Sequence, residues 1–227
     1  MPKRALAQKR PFLLASIAAA LAFYYLRAGP WPELYLIPLK GTAVGLLALY
    51  ALLRHDSQDA KLLAVMMAIA AIGDMVMEIY VEAGAIVFFG YHLVALMLYL
   101  RHKREVLGTR EKLTVVALLV LPSLIAYFLT VEDAARSEAA LYALAMGGMA
   151  SAAWASSFPR YRVGAGAILF VIADLLILAG YGPLQGSSVP QILSWPIYYL
   201  GQLLIVIGVA QTLHKRNPRL KLVSRRD

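Results

Sequence analysis

Apolar residues run along this chain in long blocks, separated by short polar or Gly/Pro-rich stretches. A bilayer core about 30 Å thick is crossed by ~17–25 apolar residues of helix. Eight blocks answer to that requirement: 12–27, 34–53, 62–81, 83–100, 113–131, 139–157, 163–180 and 195–213. The first is short, and stands with little tilt or extends into the interface. Breaker residues fall between blocks, at Gly29-Pro30-Trp31-Pro32, Phe158-Pro159 and Gly180-Tyr181-Gly182-Pro183. Pro11 and Pro196 lie near expected helix starts, where a missing N–H is tolerated. Only the link between the third and fourth blocks is very tight, around Glu82. The pattern predicts an all-α polytopic membrane protein of eight transmembrane helices, forming a single integral membrane domain over residues 1–227.

Composition agrees and narrows the classes. Hydrophobic residues make up 61% of the chain and charged residues 15%, against roughly 45–50% and 25% in soluble domains. That leaves too little polar surface for a water-soluble globule, and it excludes disorder, coiled coil and collagen. The net charge is nevertheless +9. A nucleic-acid binder can be this basic but not this apolar, so the position of the charge decides its meaning.

Counting Lys and Arg by side resolves the question. The N-terminal arm carries four, the second-to-third connection two, the fourth-to-fifth five, the sixth-to-seventh two and the C-terminal tail six. These 19 lie on one side, while the other has only Arg27 and Arg136, with Lys40 inside the second block. Both termini are therefore expected in the cytoplasm and the protein in the plasma membrane. The basic loops hold orientation and contact anionic lipid headgroups. No nucleic-acid partner is implied, and the oligomeric state is left open. The basic, apolar N-terminus reads as a retained first span, because no small-residue cleavage site ends the run. Trp31 and Trp195 fall at the outer boundary, where an aromatic belt is expected.

The chain has no cysteine, which removes disulfides, thiolate metal sites and cysteine nucleophiles. Four histidines without an HExxH pattern do not make a zinc site. No P-loop and no serine-hydrolase elbow occurs. Gly164-Ala165-Gly166-Ala167 reads as small-residue helix packing, and Met66, Met67, Met75 and Met77 as packing filler.

What remains is a small set of ionisable groups inside the expected spans, where charge is costly and calls for a reason. They are Lys40, Asp74, Glu78, His92 and Asp174, joined by the neutral polar groups Tyr198, Tyr199 and Gln202. Lys40, Asp74, Asp174 and Gln202 each lie six or seven residues from the expected outer end of their span, roughly 9–11 Å deep. Glu78 is one turn shallower and His92 somewhat deeper. Scattered structural polar groups would not share a level. Asp74 and Glu78 are i, i+4 on one expected helix face, with Glu82 a turn further out. Two such carboxylates in a low dielectric do not both ionise comfortably unless Lys40 neutralises the pair. The set suits general acid–base chemistry. It also suits a proton-coupled lipid or small-molecule transporter, or a buried Lys–Asp pair that merely locks helices together. An intramembrane aspartyl protease fits less well, since Ala71 stands where a GxGD motif needs glycine.

The motifs resemble those of the YhhN-like lysoplasmalogenase family of eight-helix membrane proteins. The resemblance rests on Gly73-Asp74, on Gly84, Phe88 and His92 at four-residue spacing, and on Gly166-Ala167-Ile168-Leu169-Phe170-Val171-Ile172-Ala173-Asp174. Tyr198-Tyr199-Leu200-Gly201-Gln202 in the last span, Lys40 in the second and Tyr142 with Met146 in the sixth complete it. Gly41, Ala95 and Ala173 depart from the family's proline, tyrosine and serine, and Glu78 lies outside its pattern. The resemblance implies hydrolysis of the vinyl-ether bond of lysoplasmalogens, giving a fatty aldehyde and a glycerophospho-alcohol. Asp74 and Asp174 would then be the catalytic pair, with acid and base roles open. Lys40 and His92 would tune the pair or meet the phosphate, and Tyr198, Tyr199 and Gln202 would position water or headgroup; a tuning role for Glu78 rests on the shared helix face alone. The substrate enters laterally as a single-chain lysophospholipid, and no metal or organic cofactor is required.

Overall fold

The structure is a computed structural model that describes residues 10–216. The described residues form eight α-helices, matching the eight apolar blocks: α1 (Arg10–Leu26), α2 (Glu33–Arg54), α3 (Gln58–Met77), α4 (Val81–Leu100), α5 (Thr109–Leu129), α6 (Arg136–Ala155), α7 (Ala165–Gly180) and α8 (Val189–Arg216). A single 3₁₀ turn precedes α6 and a π turn, Arg160–Gly164, leads into α7. The one β feature among the described residues is an isolated bridge between Lys103 and Ser156. Among the described residues, six helical stretches are long and apolar enough to cross a membrane. The two others are α1, which is short, and α6, whose sequence is rich in Ala and Gly and opens on Arg136 and Glu138.

Local chemistry sets the ends. Ser57, extended, caps α3 by accepting the Ala60 N–H at 3.2 Å, and the Glu111 carboxylate accepts the Gly108 N–H at the start of α5. The largest boundary correction concerns α8. It begins at Val189, not at residue 195, so Pro196 lies inside the helix. The proline removes the N–H that would meet the Ile192 carbonyl and crowds that carbonyl with its ring, and packing on four neighbouring helices holds the 28-residue helix together. A second correction concerns Glu78. α3 stops at Met77 with Glu78 as its C-cap, and α4 starts at Val81. Glu82 therefore opens α4 and is not a further turn of α3.

Helices α1 to α4 pack in sequence, α5 packs on α6, and α7 on α8. The fourth helix turns to α6 instead of its sequence neighbour, and α8 returns against α1, α2 and α3, closing the bundle. α8 is the central element, with thirteen buried residues, whereas α5 buries only Pro122 and Ala126. The α7–α8 crossing is very close: a Cβ on Gly166 would lie 2.6 Å from the Gly201 carbonyl oxygen, and one on Gly201 2.7 Å from that of Gly166. This confirms the small-residue reading of that motif and supplies its partner. Met66 and Met67 are fully buried filler, as expected.

Polar contacts tie each end of the bundle. At the end holding the C-terminal turn of α8, Asp59 meets His102 at 2.9 Å and Arg101 at 3.7 Å, and Arg216 reaches Ser157 and His102. Arg104 donates to the carbonyls of Trp154 and Ser156. Eleven of the 19 counted basic residues, from Arg54 to Arg216, belong to this end. Lys3, Arg4, Lys9, Arg219, Lys221, Arg225 and Arg226 lie outside the described residues. At the far end the guanidinium of Arg27, just past α1, donates to the Gln191 carbonyl in the first turn of α8.

Candidate active site

The far end of the bundle holds two cavities that meet. The first, about 500 Å³, is lined by the polar groups Arg27, Lys40, Asp74, Glu78 and Asp174, with Trp195 and Tyr198 on its wall. The second, about 470 Å³, is an apolar groove among α4, α5, α6 and α7, with Ala85, Ile86, Phe89 and Met146 among its lining. Its wall residues Ile86 and Leu141 are exposed, so the groove opens on the side of the bundle. Met77, Val81, Asp174, Ile177 and Tyr181 belong to both cavities. Among these five, Asp174 alone carries an ionisable carboxyl group. Each volume falls within the roughly 300–1,000 Å³ of small-molecule sites.

Asp74 is buried near the end of α3 and accepts a hydrogen bond from Tyr198 Oη at 2.9 Å. Asp174, partly buried on α7, accepts one from Tyr142 Oη at 2.6 Å. Because Tyr142 donates its proton to the carboxylate, its oxygen is left to accept from His92 Nε2 at 3.3 Å. With Asp174 ionised, this arrangement puts the His92 hydrogen on Nε2. Its Nδ1 is buried and finds no hydrogen-bond partner among the described residues. Lys40 does not bond to either aspartate: its ammonium pairs with Glu78 at 2.5 Å, and the rings of Trp195 and Phe23 stand 5.5 and 5.7 Å from it.

The structure thus brings Lys40, Asp74, Glu78, Asp174 and Tyr198 to one cavity, and separates three other expected members. Tyr199 points away, its hydroxyl 2.7 Å from Ser16 Oγ. Gln202 is fully buried, accepts from Tyr91 Oη at 2.9 Å, and lines neither cavity. His92 touches the site only through Tyr142. The shared-level argument is corrected accordingly. Lys40 and Asp174 lie seven and six residues from their helix ends as expected, but Asp74 lies only three from the end of α3 and Gln202 thirteen from the start of α8. With α8 starting at Val189, Gln202 lies about 9 Å deeper than a start at residue 195 implies. Glu78, as the cap of α3, keeps helical backbone angles, so it lines the same cavity as Asp74, and Lys40 pairs with it there.

Sequence reasoning missed several contributors. Tyr142 had only its family spacing to mark it, and nothing in the sequence shows that it faces Asp174. Trp195 was expected in an interfacial belt, but it is 5% exposed, donates its indole N–H to the Ala20 carbonyl at 3.3 Å and walls the polar cavity. Trp31 is exposed, as a belt residue would be. Phe88, Tyr91 and Phe170 fill the space between α4 and α7, with Tyr91 stacked on Phe170 at 5.1 Å between centroids. Among the described residues no group of three or more His, Asp or Glu is placed to hold a metal ion.

The arrangement offers two hydrogen-bonded carboxyl groups, an ion pair beside them and a hydrophobic trench leading to one of them. It can bind an amphiphile and transfer protons at the junction of its polar and apolar parts. In comparisons with known proteins, a family model described as the YhhN family matches residues 35–209. No curated protein and no solved structure matches the chain.

Proposed function

Since the chain belongs to the YhhN family, we propose that it is a membrane-embedded hydrolase that cleaves the vinyl-ether bond of lysoplasmalogens or a related lysolipid. One observation carries this reading: Asp174 stands where the apolar groove meets the polar cavity that also holds Asp74. In a lysoplasmalogen the vinyl ether is the joint between the hydrocarbon chain and the glycerol headgroup. A chain in the groove and a headgroup in the polar cavity bring that joint to Asp174.

The chemistry needs two carboxyl groups and one water. A carboxylic acid of the pair delivers its proton to the vinyl carbon remote from oxygen, and the ether oxygen's electrons form an oxocarbenium ion. Water adds to that ion while the other carboxylate takes a proton from it. The hemiacetal then splits into aldehyde and glycerol hydroxyl, and the proton removed from water restores the acid. Glycosidases use paired carboxylates on a similar cation. Tyr142 and Tyr198 hold the two carboxyl groups in place, and the Lys40–Glu78 pair keeps the neighbouring wall polar without adding net charge. In this reading the site faces the outer leaflet of the plasma membrane, both termini are cytoplasmic, and the basic end rests on anionic lipids.

The test is aldehyde release from alkenyl-lysophosphocholine and alkenyl-lysophosphoethanolamine by the purified protein in nanodiscs. Stoichiometric aldehyde with the glycerophospho-alcohol supports the hydrolase. Proton-dependent lipid flux in vesicles, with no product from either substrate at any pH, would replace it with transport.

A further inference from the structure

The mouth of the polar cavity carries a positive charge that the proton chemistry does not use. Arg27 and Arg136 are the basic residues of the connections at the far end. Arg136 is neutralised by Asp133 at 2.7 Å, and Lys40 by Glu78. Arg27 lines the cavity but pairs with no carboxylate among the described residues. Its guanidinium donates to the Gln191 carbonyl and lies over the Tyr24 ring, 5.0 Å from the centroid. Both contacts fix its position and neither cancels its charge. A guanidinium has five N–H donors in a planar fork that matches an oxyanion's edge, and one carbonyl leaves most of them to a ligand.

We propose that Arg27 binds the phosphate of the lipid substrate at the mouth of the polar cavity, so that the site selects phosphate-bearing single-chain lipids over neutral ether glycerols. This inference rests on the hydrolase reading above for its substrate. The layout places groups along the cavity in the order of the lipid itself: chain in the groove, cleavable bond at Asp174, glycerol within the cavity, phosphate at the rim. Arg27 precedes the stretch matched by the family model, so membership assigns it nothing.

Binding and turnover are measured separately. The binding probes are two saturated ethers that cannot be hydrolysed, 1-O-alkyl-glycerophosphocholine and 1-O-alkylglycerol, titrated into protein in nanodiscs. Arg27→Ala and Arg27→Gln are compared with wild type, the glutamine keeping a donor for the Gln191 carbonyl. Both variants are expected to weaken the phosphate probe by about tenfold or more, the size of a lost charge-assisted contact. Binding of the alkylglycerol should stay within about twofold, and turnover should show the loss in KM with kcat nearly retained. Equal losses for both probes, or no loss for either, would overturn the assignment. So would displacement of the phosphate probe by inorganic phosphate at equal concentration, which would make the site one for free phosphate. Arg27-dependent binding of the phosphate probe without vinyl-ether cleavage would leave this inference standing and remove the hydrolase reading.

Discussion

Each aspartate in the site answers to a tyrosine from a different helix, Tyr198 for Asp74 and Tyr142 for Asp174. A hydrogen bond to a charged group contributes about 1.5–3 kcal/mol, so Tyr142→Phe should lower kcat by about tenfold or more while moving KM little. Steady-state kinetics check this, and a pH–rate profile shifted on both limbs equally would point to general damage instead. Restoring a donor with Tyr142→His should recover part of the rate. The sequence showed Asp74, Asp174 and Lys40 because charge inside an apolar block is conspicuous. It did not show what Tyr142, Tyr91 or Arg27 would face. A tyrosine or an interfacial arginine is ordinary in such a chain, and only the packing of α1, α4, α6, α7 and α8 reveals what each one faces.

The helices themselves were legible, since eight apolar blocks became eight helices in order. Their ends were less so, because an end is decided by capping and tertiary contact as much as by hydropathy. Pro196 suggested a start that the packing of α8 overrides, and the tight link around Glu82 concealed a cap at Glu78. Both errors fell on the site, shifting Gln202 and Glu78 by about one turn or more. The α7–α8 contact gives the sharpest element-scale prediction. Gly166 and Gly201 abut each other's carbonyls, and no rotamer relieves a clash with backbone. Gly166→Val should therefore destabilise the fold by about 1–3 kcal/mol, read as a lowered Tm in nanodiscs. Gly90, whose Cβ would meet nothing within 4 Å, should tolerate alanine in the same assay with Tm nearly unchanged.

At the scale of the molecule, the bundle has a basic end built from clasped loops and a far end that opens into the paired cavities. From the charge count these ends are expected on opposite sides of the membrane, and the absence of cysteine makes that expectation testable. Ser188 is exposed in the α7–α8 connection, whereas Ser187 caps α8 through its hydroxyl. Ser188→Cys should react with an impermeant maleimide on intact cells. Labelling only after permeabilisation would reverse the orientation and move the site to the inner leaflet. Fold and orientation serve one central claim, that two aspartates beneath a polar–apolar junction break a vinyl ether. The most direct measurement is aldehyde release by wild type, Asp74→Asn and Asp174→Asn in one nanodisc preparation, each with its Tm recorded. General acid–base groups contribute about 10²–10⁴-fold, so each variant should lose at least about a hundredfold with Tm preserved. Full activity in either folded variant would contradict the account.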